Sequence, residues 1–397
     1  MEYNFSKKIS NLKPSAIREI FKSLTDPSII SFAAGNPSPE SFPVDELARL
    51  SAEIFSNEST TALQYGITEG YAPLREAIAE RQKKRFGEAM VRDNDSVIVV
   101  SGGQQGIELA CKVFCNEGDA IICENPSFIG SLNSFRSNGA TPIGVEMEED
   151  GISLSALEKT LKNTPNAKLM YLIPTFHNPT GITTSLEKRL AILELAKKYD
   201  MIIIEDNPYG ELRFAGEDIP TLKSLDTDGR VIYCSSFSKI LSAGMRVGFI
   251  VAPAAICSKM AVAKQGEDVH TNGFFQMLCY KYMSQCDLDY HIASINDLYR
   301  RKCSLMLECL DKYIPSDKVS FTRPQGGLFI WGTVKGCVDA SSIVKMAIEK
   351  KVAVVPGTAF NCDTEAKSGS FRLNYSTPSD EQIIEGVKRL GEVFASL

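Results

Sequence analysis

The chain of 397 residues predicts an α/β fold: a mainly parallel β-sheet sandwiched by helices, with a smaller α+β domain beside it. Three observations carry that expectation. Uninterrupted apolar runs rich in Ile and Val recur from about residue 96, the pattern of strands buried on both faces. Helical segments separate the runs, as the crossovers of a parallel sheet require. After about residue 287 the texture changes to one long charged helix followed by short strands.

The elements follow in order. Ser15 to Leu24 is a short helix candidate, and Phe32-Ala33-Ala34-Gly35-Asn36-Pro37-Ser38-Pro39 is a loop punctuated by Gly and Pro. Ala72 to Phe86 is an amphipathic helix, with Leu74, Ala77, Ile78 and Arg81 at helical spacing. Val97 to Val100 precedes a helix from Gln105 to Phe114, and Ala120 to Cys123 precedes one from about Ile129 to Ser137. Leu169 to Ile173 leads to the helix Leu186 to Tyr199, and Met201 to Ile204 and Val231 to Cys234 complete the runs. A long helix at Asp289 to Leu310 and short strands at Gly327 to Trp331 and Phe371 to Tyr375 form the last part. The expected division is an N-terminal arm with part of the small domain (1–45), a large domain (46–287) and a small C-terminal domain (288–397).

Composition excludes several classes of function. A net charge of −6 with no long basic run argues against a nucleic-acid partner. No apolar stretch approaches the roughly 18 residues that would span a bilayer, and the N-terminus lacks the apolar core of a signal peptide. Eleven cysteines, an odd number without a C-x-x-C pair, read as reduced and mostly buried thiols. No metal site and a cytoplasmic location are therefore expected.

In open α/β sheets ligands lie beyond the carboxyl ends of the strands, and the chemically unusual residues of this chain follow its apolar runs. After Val100 comes Ser101-Gly102-Gly103-Gln104-Gln105-Gly106, a turn into a helix whose free N–H groups suit an anion; a structural strand–helix turn is the plainer alternative. After Ile173 comes His177-Asn178-Pro179-Thr180-Gly181, either a capped turn or a device that fixes the Asn178 amide as a donor to a phenolate oxygen. After Ile204 come Asp206 and Tyr209. A carboxylate ending a buried strand needs a cationic or donor partner, such as a pyridine N–H, unless it caps the next helix. After Cys234 come Ser236, Ser238 and Lys239, with Arg246 seven residues on. A desolvated lysine is a nucleophilic amine, and two hydroxyls with an arginine suit a phosphate. Asn178, Asp206 and Lys239 each follow a separate strand, so the fold brings them together.

With those motifs on view, the chain resembles the fold-type I, class I/II aminotransferases that depend on pyridoxal 5'-phosphate (PLP). The resemblance rests on Asn178-Pro179-Thr180-Gly181, Asp206 with Tyr209, Ser236-x-Ser238-Lys239 with Arg246, and Phe371-Arg372-Leu373, and it runs from Ile17-Arg18-Glu19-Ile20 to Arg372. Ser31 to Gly35, Ala263 to Thr271 and Thr322 to Gly327 place it nearest the 2-aminoadipate and kynurenine/aminoadipate multi-substrate branch. The resemblance implies a seven-stranded sheet in a PLP-binding large domain and an active site shared across a homodimer. It implies that Lys239 anchors the cofactor as a Schiff base, that Asp206 pairs with the pyridine nitrogen, and that Asn178 and Tyr209 hold the ring oxygen. Ser236, Ser238, Arg246 and the Gly103-Gln104 turn would hold the phosphate, Phe128 would stack on the ring, and Tyr65 would reach the partner's phosphate. Two departures stand out: Phe128 replaces the usual tyrosine, and Gly103 a common serine. Neither touches the lysine chemistry.

On the substrate side, Arg372 sits in an apolar strand and at the family's carboxylate-binding position, where a bidentate guanidinium suits an α-carboxylate. Gly35 and its loop would cover the substrate side chain. Arg18 is either a receptor for a distal carboxylate or a solvated helix arginine, and His177 and His270 read as supporting residues. The expected reaction is ping-pong transfer of an amino group from 2-aminoadipate, glutamate, aromatic or branched-chain amino acids to a 2-oxo acid, 2-oxoglutarate foremost. A PLP-dependent β-C–S lyase and a ligand-sensing aminotransferase-like module are the alternatives. The second is disfavoured because the arm begins within the first 20 residues.

Overall fold

A computed structural model describes residues 3–10, 12 and 26–396. The helix candidate Ser15 to Leu24, and Arg18 with it, lies outside the described residues. The large sheet runs, edge to edge, through Asp95–Val100, Gly248–Pro253, Val231–Ser236, Ile202–Asp206, Ala167–Leu172, Ala120–Asn125, Thr141–Glu148 and Gly151–Ile152. From Val231–Ser236 to Thr141–Glu148 every neighbouring pair is parallel. Gly248–Pro253 is antiparallel to both its neighbours, and Gly151–Ile152 is a two-residue antiparallel extension beyond seven longer strands.

The apolar runs are uninterrupted because successive residues enter different cores. Ile121, Cys123, Ile204 and Ile232 pack with Ile107, Leu109, Leu132 and Phe135 of the helices Gly103–Phe114 and Ile129–Ser137. Ile122, Met170, Ile203 and Val231 face the other way, toward Leu157, Leu161 and Ile192 of Leu154–Asn163 and Leu186–Lys198. Each such isoleucine is fully buried, a contribution of roughly 1.5–3 kcal/mol apiece.

Besides the two-residue Gly151–Ile152, two longer large-sheet strands were not anticipated. Thr141–Glu148 lies near the sheet edge and buries only Pro142 and Val145 fully, so it has no apolar run. Gly248–Pro253 returns antiparallel after two short 3-10 turns, without the helix that marks a parallel crossover. Elsewhere the helices Ala72–Phe86 and Ile129–Ser137 begin and end where expected, and Leu288–Tyr313 is longer by a few residues. The strand expected from Gly327 begins at Phe329 instead. Gly327 has φ +75° and lies against Phe176, where a Cβ would approach the Phe176 Cβ to 2.7 Å, so this glycine makes a turn.

A second, four-stranded antiparallel sheet is ordered Val319–Phe321, Phe329–Val334, Ser370–Asn374, Val355–Pro356. The N-terminal segment reaches it: Ile30–Ser31 pairs in parallel with Val352–Ala353, and the Phe32 carbonyl accepts from the Asn374 N–H at 2.8 Å. Those bonds carry the Gly35 loop over the carboxyl ends of the large-sheet strands.

Candidate active site

The strand ends converge on a cavity of about 450 Å³. Asp206 ends the strand Ile202–Asp206, Lys239 closes the 3-10 turn after Val231–Ser236, and Asn178 lies in the turn after Ala167–Leu172. The second sheet adds Arg372 and Phe329, and the N-terminal segment adds Gly35. Of the described residues expected at the site, all line this cavity except Tyr65. Tyr65 is 82% exposed and stands edge-on to His270, outside the cavity of its own chain. Arg18 is outside the described residues.

Lys239 is half-buried, and its Nζ donates to the Gly35 carbonyl at 2.8 Å. Burial, reinforced by the positive charges of Arg372 and Arg246, brings its pKa down from 10.5 to about 8. A substantial fraction of neutral amine therefore exists near physiological pH.

Asp206 is 5% exposed, and burial pushes its carboxyl up to about 7. Among the described residues its carboxylate is held by a neutral phenol: Tyr171 Oη donates to Oδ2 at 2.6 Å. A buried carboxylate held only by a neutral donor lacks a cation. A pyridine N–H supplies that kind of partner, so Asp206 fits the ring nitrogen of PLP.

The anion end is built from three elements. The Ser236 and Ser238 hydroxyls lie 2.7 Å apart, and Arg246 Nη1 donates to Ser238 Oγ at 3.4 Å. Arg246 has φ 54°, a left-handed conformation uncommon outside glycine, at the end of the 3-10 turn Ala243–Met245. Gly102, at φ +81°, precedes the helix Gly103–Phe114, and a Cβ there would collide with the Arg246 guanidinium. The helix start thus presents free N–H groups beside Arg246, a setting suited to a phosphate.

Arg372 is 2% exposed and, among the described residues, is in no ion pair. Its Nη1 donates to Asn178 Oδ1 and its Nη2 to the Ala33 carbonyl, each at 2.8 Å, while Nε has no partner. The guanidinium lies over Phe329 and Phe360, at 4.2 and 5.0 Å from the ring centroids. Burial lowers its pKa to about 10, with the Tyr209 hydroxyl acting in opposition. A buried cation with an idle donor and no acid among the described residues has the chemistry of a receptor for an arriving carboxylate. Asn178 Nδ2 in turn donates to Tyr209 Oη at 3.4 Å, linking that receptor to the ring-oxygen side.

Tyr171, Ser131 and Glu124 were missed in the sequence. Ser131 Oγ donates to Tyr171 Oη at 2.8 Å, completing a chain to Asp206. Glu124 Oε2 accepts the Ile173 N–H at 2.8 Å and lies 3.3 Å from His177 Nε2, which makes His177 a supporting residue away from the cavity. The available signal was a tyrosine in the middle of the Leu, Met and Ile run at 169–173.

Comparison with known proteins points the same way. The family model for aminotransferase class I and II matches residues 27–390. The aromatic-amino-acid aminotransferase 1 of Thermococcus litoralis is 39% identical over 98% of this chain and 94% of its own length. Among solved structures, the kynurenine aminotransferase of Pyrococcus horikoshii, in complex with PMP, superposes with a TM-score of 0.94 at 38% identity, covering 99% of this chain and 97% of that one. The alpha-aminoadipate aminotransferase of Thermus thermophilus, complexed with N-(5'-phosphopyridoxyl)-L-leucine, gives 0.89 at 37% identity with the same coverage.

Proposed function

This chain belongs to the class I and II aminotransferases, and from that premise we infer which residues carry its PLP-dependent transamination and which substrates it takes. When bound, PLP supplies the carbon that receives the amino group and a ring that draws electrons from the substrate Cα. Lys239 anchors it, Asp206 holds the ring nitrogen, and Asn178 with Tyr209 holds the ring oxygen. Ser236, Ser238, Arg246 and the N–H groups at Gly103 and Gln104 bind the phosphate, and Phe128 covers the ring. Arg372 orients the substrate by its α-carboxylate so that its Cα hydrogen faces Lys239, whose neutral amine takes the proton. The buried Arg372 beside the lowered-pKa Lys239 is the observation that carries this assignment.

The donors proposed are 2-aminoadipate, glutamate, aromatic and branched-chain amino acids, with 2-oxoglutarate as acceptor. Relatives named for aromatic amino acids, kynurenine and 2-aminoadipate support that range. The cavity's cations among the described residues are Lys239, Arg246 and Arg372, so Arg18 is proposed as the receptor for a distal carboxylate. Incubating the protein with single amino acids should convert bound cofactor to its aminated form, and adding 2-oxoglutarate should restore it. Release of ammonia and pyruvate without an acceptor would sink the assignment.

A homodimer with shared sites is proposed as well. Tyr65, Leu63, Ile67, Phe55 and Val269 are exposed apolar or aromatic residues along one region of the large domain, and a second copy would cover them. Sedimentation should give twice 43.6 kDa; a monomer fully active at nanomolar concentration would exclude the shared site. The proposed division is an arm with part of the small domain (1–45), a large domain (46–287) and a small domain (288–397). It is supported by the large sheet lying within Asp95–Pro253 and the second within Val319–Asn374. Among the described residues no helix is long and apolar enough to cross a membrane, which is compatible with the proposed cytoplasmic location.

A further inference from the structure

Asp206 is supported from behind by two hydroxyls that touch neither the cavity nor the substrate side. Ser131 Oγ, on the helix Ile129–Ser137, donates to Tyr171 Oη at 2.8 Å, and Tyr171 Oη, from the neighbouring strand Ala167–Leu172, donates to Asp206 Oδ2 at 2.6 Å. Ser131 and Tyr171 are both fully buried, and neither lines the cavity. The polarity of the chain is informative. A phenol has one proton, and with its oxygen accepting from Ser131 that proton is free to go to Asp206. The arrangement favours the ionised carboxylate and engages Oδ2, leaving the other oxygen for the ligand.

We propose that Tyr171, backed by Ser131, is a positioning residue that keeps Asp206 ionised and aimed at the ring nitrogen of PLP. The proposal rests on the assignment of Asp206 to that nitrogen. Alone, Asp206 is poorly placed to stay ionised. Glu124 on the strand Ala120–Asn125, Cys234 on Val231–Ser236 and Tyr209 in the following loop all interact with it and bring no positive charge, and the cavity cations Lys239, Arg246 and Arg372 make no ion pair with it among the described residues. Burial and the Glu124 charge both push its carboxyl up, and the Tyr171 hydroxyl alone pulls it down. Hydrogen bonds to a charged group are worth more than neutral ones, and a buried network amplifies them. Tyr171 also packs edge-on to Phe135 at 5.4 Å, so a purely space-filling role is the rival account.

Tyr171→Phe separates the two, since it keeps the ring and removes the hydroxyl. In the PLP-loaded variant, cofactor retention measured by equilibrium dialysis should weaken about tenfold. The pH midpoint of the cofactor's visible absorbance should move in the same direction as in Asp206→Asn, by a smaller amount. Ser131→Ala should give a smaller shift of the same sign. Unchanged retention and an unchanged midpoint in Tyr171→Phe, with PLP bound, would overturn the proposal and leave a packing role. If Tyr171→Phe does not fold, Ser131→Ala decides: a shift supports the proposal and its absence overturns it. Failure of the wild-type protein to bind PLP would instead refute the cofactor assignment itself.

Discussion

Lys239→Ala should lower turnover by about 10⁴-fold and abolish the visible absorbance of anchored PLP, because in the proposed assignment one amine is both covalent anchor and proton acceptor. The substitution removes a partly desolvated cation that faces Arg372 and Arg246, so it should not unfold the protein. A melting temperature near that of the wild type, alongside lost absorbance, is the expected pair of results; unchanged absorbance would show that another group holds the cofactor. The lowered pKa adds a pH signature. PLP uptake by the wild-type apo-chain should accelerate about tenfold per pH unit below about 8 and level off above it, following the neutral amine. An unperturbed lysine would keep accelerating toward 10.5. The linkage has the matching sign. Between about 8 and 10.5 the unfolded chain holds a proton at Lys239 that the folded chain has released, so its contribution to stability rises with pH there. Below about 8 both states are protonated and the desolvation cost is fully present.

Arg372→Ala lowers kcat/KM for amino acids and for 2-oxo acids by about 10²- to 10³-fold, the scale of removing one partner from a buried ion pair. Both half-reactions suffer because both substrates present the same α-carboxylate. Arg372→Lys recovers only part of the loss, since an ammonium cannot offer two parallel N–H groups. The unliganded protein should tolerate Arg372→Met with little change in melting temperature. Among the described residues no acid pairs with the guanidinium, and a flexible apolar chain fills the same space between Phe329 and Phe360. A stability loss as large as the activity loss would mean that Arg372 holds the second sheet together instead of binding substrate.

Much of this molecule could be read without coordinates, for a local reason. A strand buried on both faces writes its own apolar run, as Ile202–Asp206 and Val231–Ser236 do, and the reactive residue stands at its end. Of the strands that escaped, Thr141–Glu148 has no apolar run, whereas Gly248–Pro253 has one, Phe249 to Ala252, but returns without the helix of a parallel crossover. Tyr171 escaped for a different reason. Its partners lie 35 and 40 residues away in sequence, and a tyrosine in an apolar run looks like core until Asp206 is beside it. Tyr65 marks the opposite limit, since the proposed role for its exposed ring depends on a second copy of the chain.

The amino-acid sequence alone determined the parallel sheet, the order in which Asn178, Asp206 and Lys239 appear along it, and the chemical kind of each group. Apolar periodicity and side-chain chemistry are properties of neighbouring residues. Tertiary structure decided the states of those groups. Lys239 is lowered by burial, with Arg372 and Arg246 adding to it, and bonded to the Gly35 carbonyl 204 residues away, Asp206 is raised by burial and steadied by Tyr171, and Arg372 lies over two rings with no acid beside it among the described residues. Charge energies depend on desolvation and on distance, and both exist only once the chain has closed on itself.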